Sequence, residues 1–451
     1  MMRIEIAGAG AGKTTNLAKK IVANHKKMDP SKYIYCVSYT NSSVEKISSM
    51  LKGYYDSIPN NIVVTTIHSF FYNELIKPFH YLLYEEHYSK VSNSTLPNKV
   101  QFRNSKLKNF RSKGYLHVDD FTKYAKYVVC GKSNDKKITK KKREKVKKFL
   151  STYIGSVFVD EAQDIDKYTK EVLIELNNMN LFIEIIGDPN QDLRGHEQLD
   201  KLVKEYPDKV VYNNICLRSP QTHLDFSNLF ISEYQRQYNE KKATGEINYV
   251  FQTDLNNVKG LCEDYDLAYI YQKNKYFNTQ SPSKNELVYE EIKFLIDRYS
   301  PEIKYQNKVL QIASKITTYL FRYVNQGISV EKAINKIFPY GALLPKDYKG
   351  LEEVMYRSLG SDQENRIKIS SIQSIKGLDE EKCLFVVTSQ FIPYLKQDRN
   401  KDSIRMKSHL YVALTRAKSK LTILICKDVE EKYRKEDIMD LFDKYGITAL
   451  S

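Results

Sequence analysis

Apolar positions follow two rhythms along this chain. Short, nearly continuous apolar runs, "RIEIA", "YIYCVSYT" and "NIVVTTIH", are separated by stretches with helical spacing, "KTTNLAKKIVANHKK" and "SSVEKISSMLKG". The runs predict strands, and their alternation with helices predicts a parallel sheet covered on both faces. From about Phe79 to Leu150 the strand rhythm gives way to charged, helix-prone sequence. It returns in "SVFVDEAQD", "LFIEIIGDP" and "KVVYNNI". The plan then recurs: a helix near Gln221 to Tyr238, strands "EINYVF" and "DLAYIYQ", and a mostly helical segment from Lys275 to Gly360. Strands "RIKISSIQ", "CLFVVTS" and "LTILIC" follow. The expected fold class is α/β, with two sheet-bearing halves, each interrupted by a helical insertion.

Length supports more than one core, since 451 residues exceed an ordinary domain. No apolar run approaches the roughly 20 residues of a membrane span, and no signal peptide is legible, so a soluble cytoplasmic protein is expected. The six cysteines, Cys36, Cys130, Cys216, Cys262, Cys383 and Cys426, stand singly. None has zinc-site or redox spacing, so no metal is assigned to them. Half of the +16 net charge sits in Lys136–Lys148, where nine Lys/Arg face Glu144 alone, a net of +8. Such a run is ordinarily a solvated helix face. It is also what a phosphate backbone attracts, because each cation releases condensed counterions.

"AGAGAGKTT", residues 7–15, lies between a strand and a helix. Gly8, Gly10 and Gly12, with Ala9 and Ala11, let the backbone wrap phosphates. Lys13 reaches the same oxygens, Thr14 can ligate Mg²⁺, and Thr15 completes the turn. Ala7 stands where the general pattern has Gly. "VFVDEAQD" ends an apolar strand in Asp160, placed to hold the metal, and Glu161, placed to orient and deprotonate water. Alone, that pair could be an acidic cap on a strand. "IIGDPNQD" offers Gln191 as a γ-phosphate sensor. Arg218 in "CLRSPQ" and Arg416 in "YVALTRAKS" are candidates to stabilise charge in phosphoryl transfer.

Taken in order, "AGAGAGKT", "VSYTNSSVEKI", "TTIHSF", "VFVDEAQD", "IIGDPNQD", "LRSPQTHLDFSN", "ISSIQSIKGLDEEKCLFVV" and "HLYVALTRAKSKLTI" resemble the helicase motifs of superfamily 1, the UvrD/Rep/PcrA family. The series spans nearly the whole chain. The resemblance implies two RecA-like P-loop domains with ATP and Mg²⁺ in the cleft between them. The first would occupy 1–78 and 151–220 around an insertion at 79–150. The second would occupy 221–274 and 361–451 around a reduced insertion at 275–360. It implies 3′ to 5′ movement on single-stranded DNA. Asp379 would hold the ribose where the family usually has Glu. Tyr39, Thr40, Asn41, Thr66, His68, His196 and Lys376 would meet the strand. An aromatic such as Tyr39 suits that role, since stacking is sequence-tolerant; a sheet-edge aromatic is the plainer reading.

Departures cluster around the base. The first strand starts the chain, leaving no room for the family's adenine-reading Gln, and Leu217 replaces a Tyr that stacks on adenine. Weak discrimination among NTPs is therefore expected. Gln373 replaces a usual His, and the stretch after Gln191 reads "DLRGHEQ" with Arg194, His196 and Glu197. The trimmed insertions also resemble compact UvrD-like subunits of bacterial anti-phage systems, such as the helicase-like subunit of Gabija. Three functions follow: an autonomous DNA helicase or translocase, a regulatory NTPase controlling a partner nuclease, and a P-loop ATPase unrelated to nucleic acid. The last requires the ordered motifs to be accidental. No nuclease motif is legible.

Overall fold

The computed structural model describes residues 2–97, 99–241, 244–279, 284–300, 306–359, 366–398 and 403–450. Parts of the expected insertions (98, 280–283, 301–305 and 360) and of the expected second half (242–243, 361–365, 399–402 and 451) lie outside the described residues.

Strands β1 (Met2–Ala7), β2 (Tyr33–Ser38) and β3 (Ile62–Thr66) open the chain. A small parallel pair follows, β4 (Lys90–Ser92) with β5 (Tyr115–His117). Then β6 (Ile154–Val159), β7 (Phe182–Gly187) and β8 (Val210–Asn213) complete a six-stranded sheet in the order β3-β2-β6-β7-β1-β8. The second sheet comprises β9 (Glu246–Phe251), β10 (Leu267–Ile270), β11 (Phe277–Thr279), β12 (Ile367–Ser371), β13 (Glu380–Val387), β14 (Ala417–Ile425) and β15 (Thr448–Ala449), ordered β11-β12-β10-β13-β14-β9-β15. Every described pairing in both sheets is parallel. The two helix-flanked parallel sheets are the α/β class read from the apolar rhythm.

Parallel strands need crossover helices, so the sheet is covered on both faces and its strands become apolar throughout. That is why β1, β2, β6 and β7 each bury at least four consecutive residues. The helix Lys13–His25 buries Leu17, Ala18 and Ile21 against Ile34, Cys36, Phe158 and Ile186. Parallel direction has a second consequence. The loops leaving β1, β6 and β7 all emerge at one edge of the sheet, where ligands of open α/β sheets bind.

Both sheets belong to one compact unit, formed by Met1–Glu85, Thr122–Gln280 and Ile367–Ser451. Within it, the helix Lys137–Tyr153 is anchored by Arg143, which is buried, pairs with Asp135 and donates from Nε to the Val128 carbonyl at 3.2 Å. A second unit, Glu86–Phe121 with Ser281–Arg366, is mainly helical. Phe110, Leu295, Leu320 and Leu351 lie in its core, and Phe110 stacks on His117 at 5.9 Å between ring centroids.

A charged knot interrupts the apolar first sheet. Glu5 on β1 and Glu184 on the adjacent β7 are buried, and the ammonium of Lys20 pairs with both. Removing that cation would leave two carboxylates with little solvent. Lys20→Met is expected to lower unfolding free energy by about 3 kcal/mol, measured by urea denaturation. A change within about 0.5 kcal/mol, the range of ordinary surface substitutions, would show that the knot is not structural.

Candidate nucleotide cleft

The loop after β1 turns through Gly10 and Gly12, both at φ 71°, a left-handed conformation that glycine adopts without penalty. The helix Lys13–His25 starts directly behind it, so its amino end faces the loop. The Lys13 ammonium curls over this turn and donates to the carbonyls of Ala7 (3.1 Å) and Gly8 (2.9 Å). Thr14 is half-buried beside it.

Asp160 ends β6 in full burial, its amide donating to the Val37 carbonyl at 2.9 Å. Burial first, and then the neighbouring Glu161 charge, pushes the Asp160 pKa up to about 7. A buried carboxyl raised in this way suits a nearby cation. Asp160 and the Thr14 hydroxyl are hard oxygen donors of the kind that could hold Mg²⁺, which takes few ligands from protein when phosphates provide others. Among the described residues no group of three or more His, Cys, Asp or Glu is arranged to hold a metal by itself.

Glu161 adopts φ 55°, a strained backbone for a non-glycine residue. Its carboxylate accepts from the Gln163 side-chain amide, and that side chain's oxygen accepts from the Asp188 amide at 3.0 Å. Burial raises the pKa of Glu161, but Lys376, Lys13, the Gln163 hydrogen bond and Arg416 together hold the group below its ordinary value. Lys376 pairs with Asp164 at 2.6 Å and stands 3.9 Å from Glu161. Gln191 is buried, with its amide on Asp188 at 2.8 Å.

Two guanidinium groups face these acids. Arg218 donates to the Thr415 carbonyl at 2.7 Å and pairs with Asp379 at 3.3 Å, and Lys418 approaches the same carboxylate at 3.4 Å. Arg416 is 1 % exposed and donates to the Val412 and Leu378 carbonyls and the Thr415 hydroxyl. Burial, and then the nearby Arg218 charge, pushes its pKa down to about 10, so it stays a cation at neutral pH.

Most of these groups converge, although Asp160 and Lys376 are not among the lining residues. A cleft of about 540 Å³ is lined by Gly10, Ala11, Gly12, Lys13, Thr14, Thr15, Glu161, Gln191, Arg218, Asp379 and Arg416 among the residues read from sequence. Lys46, Met50, Leu217 and Lys418 line it as well, none of them singled out by sequence reasoning for this role except Leu217. Gly8 and Ala9 are instead sealed off by Gln237 and Tyr411. Gln163 and Tyr411 were missed by sequence reasoning although they lie inside the quoted motif segments, which could have flagged them; Gln237 carried no signal.

The residues expected to meet a nucleic-acid strand lie at or just after the ends of β2, β3 and β7, with Lys376 between β12 and β13. Tyr39 and His68 meet edge to face at 6.1 Å, with the Tyr39 ring half-buried and burial raising its phenol pKa. Thr40 caps the helix Asn41–Lys52 by accepting from the Ser43 amide at 3.1 Å. Thr66 caps the next helix through the Ser69 amide at 3.2 Å. Asn41, at the first helical position, is exposed. His196 sits on a turn organised by Asp192, which accepts from the amides of Arg194, Gly195 and Glu197. Lys376 lies with Asp164 and Glu161, as above.

An AAA domain matches residues 2–195. The Gabija protein GajB of Bacillus cereus (strain VD045) is 24% identical over 495 aligned positions, covering 93% of this chain and 92% of that protein. The solved complex of the Arterivirus nonstructural protein 10 helicase with DNA aligns over 98% of this chain, at 10% identity and a TM-score of 0.36. The alignment spans 63% of that helicase's length. Among the described residues no helix is long and apolar enough to cross a membrane.

The hydroxyls of Thr40 and Thr66 are committed to helix caps. Thr40→Ala and Thr66→Ala are each expected to cost about 1 kcal/mol of stability, with Ser restoring most of it. Chemical denaturation of the four variants measures this. Unchanged stability together with weakened binding of single-stranded DNA would assign the two hydroxyls to the strand instead.

Proposed function

We propose that this chain, a helicase-like ATPase with a superfamily 1-like fold, acts as a regulatory NTPase subunit that senses DNA or nucleotide and controls a partner nuclease in anti-phage defence. The observation that carries this reading is the near end-to-end correspondence with the Gabija protein GajB, 93% of one chain against 92% of the other. The correspondence extends across the second sheet and the helical unit, well beyond the AAA portion at residues 2–195.

In this reading the first RecA-like domain is 1–78 with 151–220, and the second is 221–274 with 361–451. Lys13 and the amides of Gly10–Thr14 cradle the β- and γ-phosphates of ATP or another NTP, and Thr15 follows them on the helix. Thr14 and Asp160 hold Mg²⁺, which when bound supplies positive charge against the phosphate oxygens. Glu161, oriented by Gln163, positions and deprotonates the attacking water. Gln191 contacts the γ-phosphate, and Arg218 and Arg416 offset the charge that develops on it. Leu217, 72 % exposed, and Met50 present apolar surface to a base, which supports loose selection between ATP and GTP.

Nucleic acid is engaged by Tyr39, Thr40, Asn41, Thr66, His68, His196 and Lys376, with the Thr40 and Thr66 caps shaping that surface, and by the basic helix Lys137–Tyr153. In that helix region Lys136, Lys137, Lys140, Lys141, Lys145 and Lys148 are exposed. Arg143 is buried, while Lys142 reaches the Leu82 carbonyl and Lys147 pairs with Glu175. Autonomous 3′ to 5′ translocation remains the second reading, and the Tyr39–His68 pair favours it as a stacking surface.

Hydrolysis by the chain alone is expected to be slow and nearly indifferent to single-stranded DNA, rising when the nuclease partner is added. Glu161→Gln should reduce the stimulated rate at least 100-fold. Strong DNA stimulation, with strand displacement from a 3′-tailed duplex by the chain alone, would overturn the regulatory reading in favour of a motor. Replacing Lys137, Lys141, Lys145 and Lys148 by Gln should reduce the slope of log affinity for single-stranded DNA against log salt by about 3. An unchanged slope would remove this helix from the nucleic-acid surface.

A further inference from the structure

Three buried groups close a hydrogen-bond ring around the phosphate loop. The Ala9 amide donates to the Tyr411 hydroxyl at 3.1 Å. The Tyr411 hydroxyl donates to Gln237 Oε1 at 2.7 Å, and Gln237 Nε2 donates to the Ala9 carbonyl at 2.9 Å. Ala9, Gln237 and Tyr411 are all almost completely buried. Each hydrogen in the ring points one way, because the phenol has a single proton and the Ala9 carbonyl can only accept. A carboxylate at position 237 could not donate to that carbonyl, and a phenylalanine at 411 could neither accept nor donate.

Gln237 is itself held. Its backbone exchanges two hydrogen bonds with the Asn228 side chain, at 2.9 and 2.7 Å. The next residue, Tyr238, bonds Cys216 and Asn214 through the main chain. Gly8 leaves room for the Gln237 amide, since a Cβ there would stand 2.2 Å from Gln237 Cδ. Tyr411 lies on the helix Ile404–Leu414, and Arg416 reaches back to the Val412 carbonyl of the same helix at 2.9 Å. The ring thus fixes the first half of the phosphate loop to the helix that precedes Arg416.

We infer that Gln237, working through Tyr411, is a positioning residue that sets the phosphate loop in register with Arg416 for hydrolysis. It is not among the residues that line the cleft. The inference rests on hydrolysis taking place in the cleft of Lys13 and Glu161. Freeing the Ala9 peptide leaves the amides of Gly10–Thr14 and Lys13 able to bind phosphates, so affinity should persist. Alignment between loop and arginine should suffer, and small misplacements cost rate steeply.

Steady-state NTP hydrolysis by the full chain, under whichever condition gives the highest rate, provides the test. Gln237→Ala and Tyr411→Phe are each expected to lower kcat about 10- to 100-fold, with KM changed less than about threefold. The double variant should fall no further, because the ring acts as a unit. Gln237→Glu should behave like Gln237→Ala despite filling the same space. Thermal melts of all four confirm folding. Unchanged kcat in both single variants, multiplying losses in the double variant, or full activity in Gln237→Glu would each overturn the inference. Full activity in Glu161→Gln would instead show that hydrolysis does not occur in this cleft and would fail the underlying reading.

Discussion

The close approach of a later segment to the three loop glycines is the contact on which the rest of the site depends. Gly8 faces the Gln237 amide, Gly10 faces Cys216 Sγ and the Arg218 Cβ, and Gly12 faces Leu217. At the first two positions a Cβ would fall within 3 Å of those neighbours, so larger residues would push residues 216–218 and 237 away. The Leu217 amide seals the approach by donating to the Gly10 carbonyl at 3.0 Å. Glycine here serves two ends at once. It lets the backbone curve around phosphates, and it lets Arg218 stand beside the loop whose ligand it is proposed to stabilise.

Several cations around that contact are held by named partners. Lys13 rests on two carbonyls, Arg218 on Asp379, Arg416 on two carbonyls and a hydroxyl, and Lys376 on Asp164. The acids are less evenly served. Burial raises the pKa of Asp160, Asp164 and Asp188, while Glu161 is held down by the lysines around it. Neighbouring carboxylates driven in opposite directions can divide their tasks, as in the proposed division between holding a cation and activating water. The strained backbone at Glu161 fits such a division, since strain persists only where the surroundings impose it.

Much of this was legible from residue order, and the reason is local. The strand–turn–helix around Lys13 and the apolar strand ending in Asp160 are written within about ten residues each, and short-range sterics and burial settle them. Tyr411 and Gln163 could have been found because they lie within the same motif segments. Gln237 could not, because nothing near it in sequence distinguishes a buried clamp from a surface amide. Thr40 and Thr66 carry a role that residue order did not announce: their hydroxyls close helix ends.

The sequence by itself determined the α/β class, the parallel sheets, the phosphate loop and the set of acids and arginines around it. Those features follow from periodicity and from side-chain chemistry that does not depend on distant neighbours. Tertiary structure alone decided which of these groups share a cleft, which lysines of the basic helix stay exposed, and that Ala9 is closed into a ring with residues more than 200 positions away. Such contacts depend on how parallel strands order themselves in two sheets, and that order arises from long-range packing that no local pattern encodes.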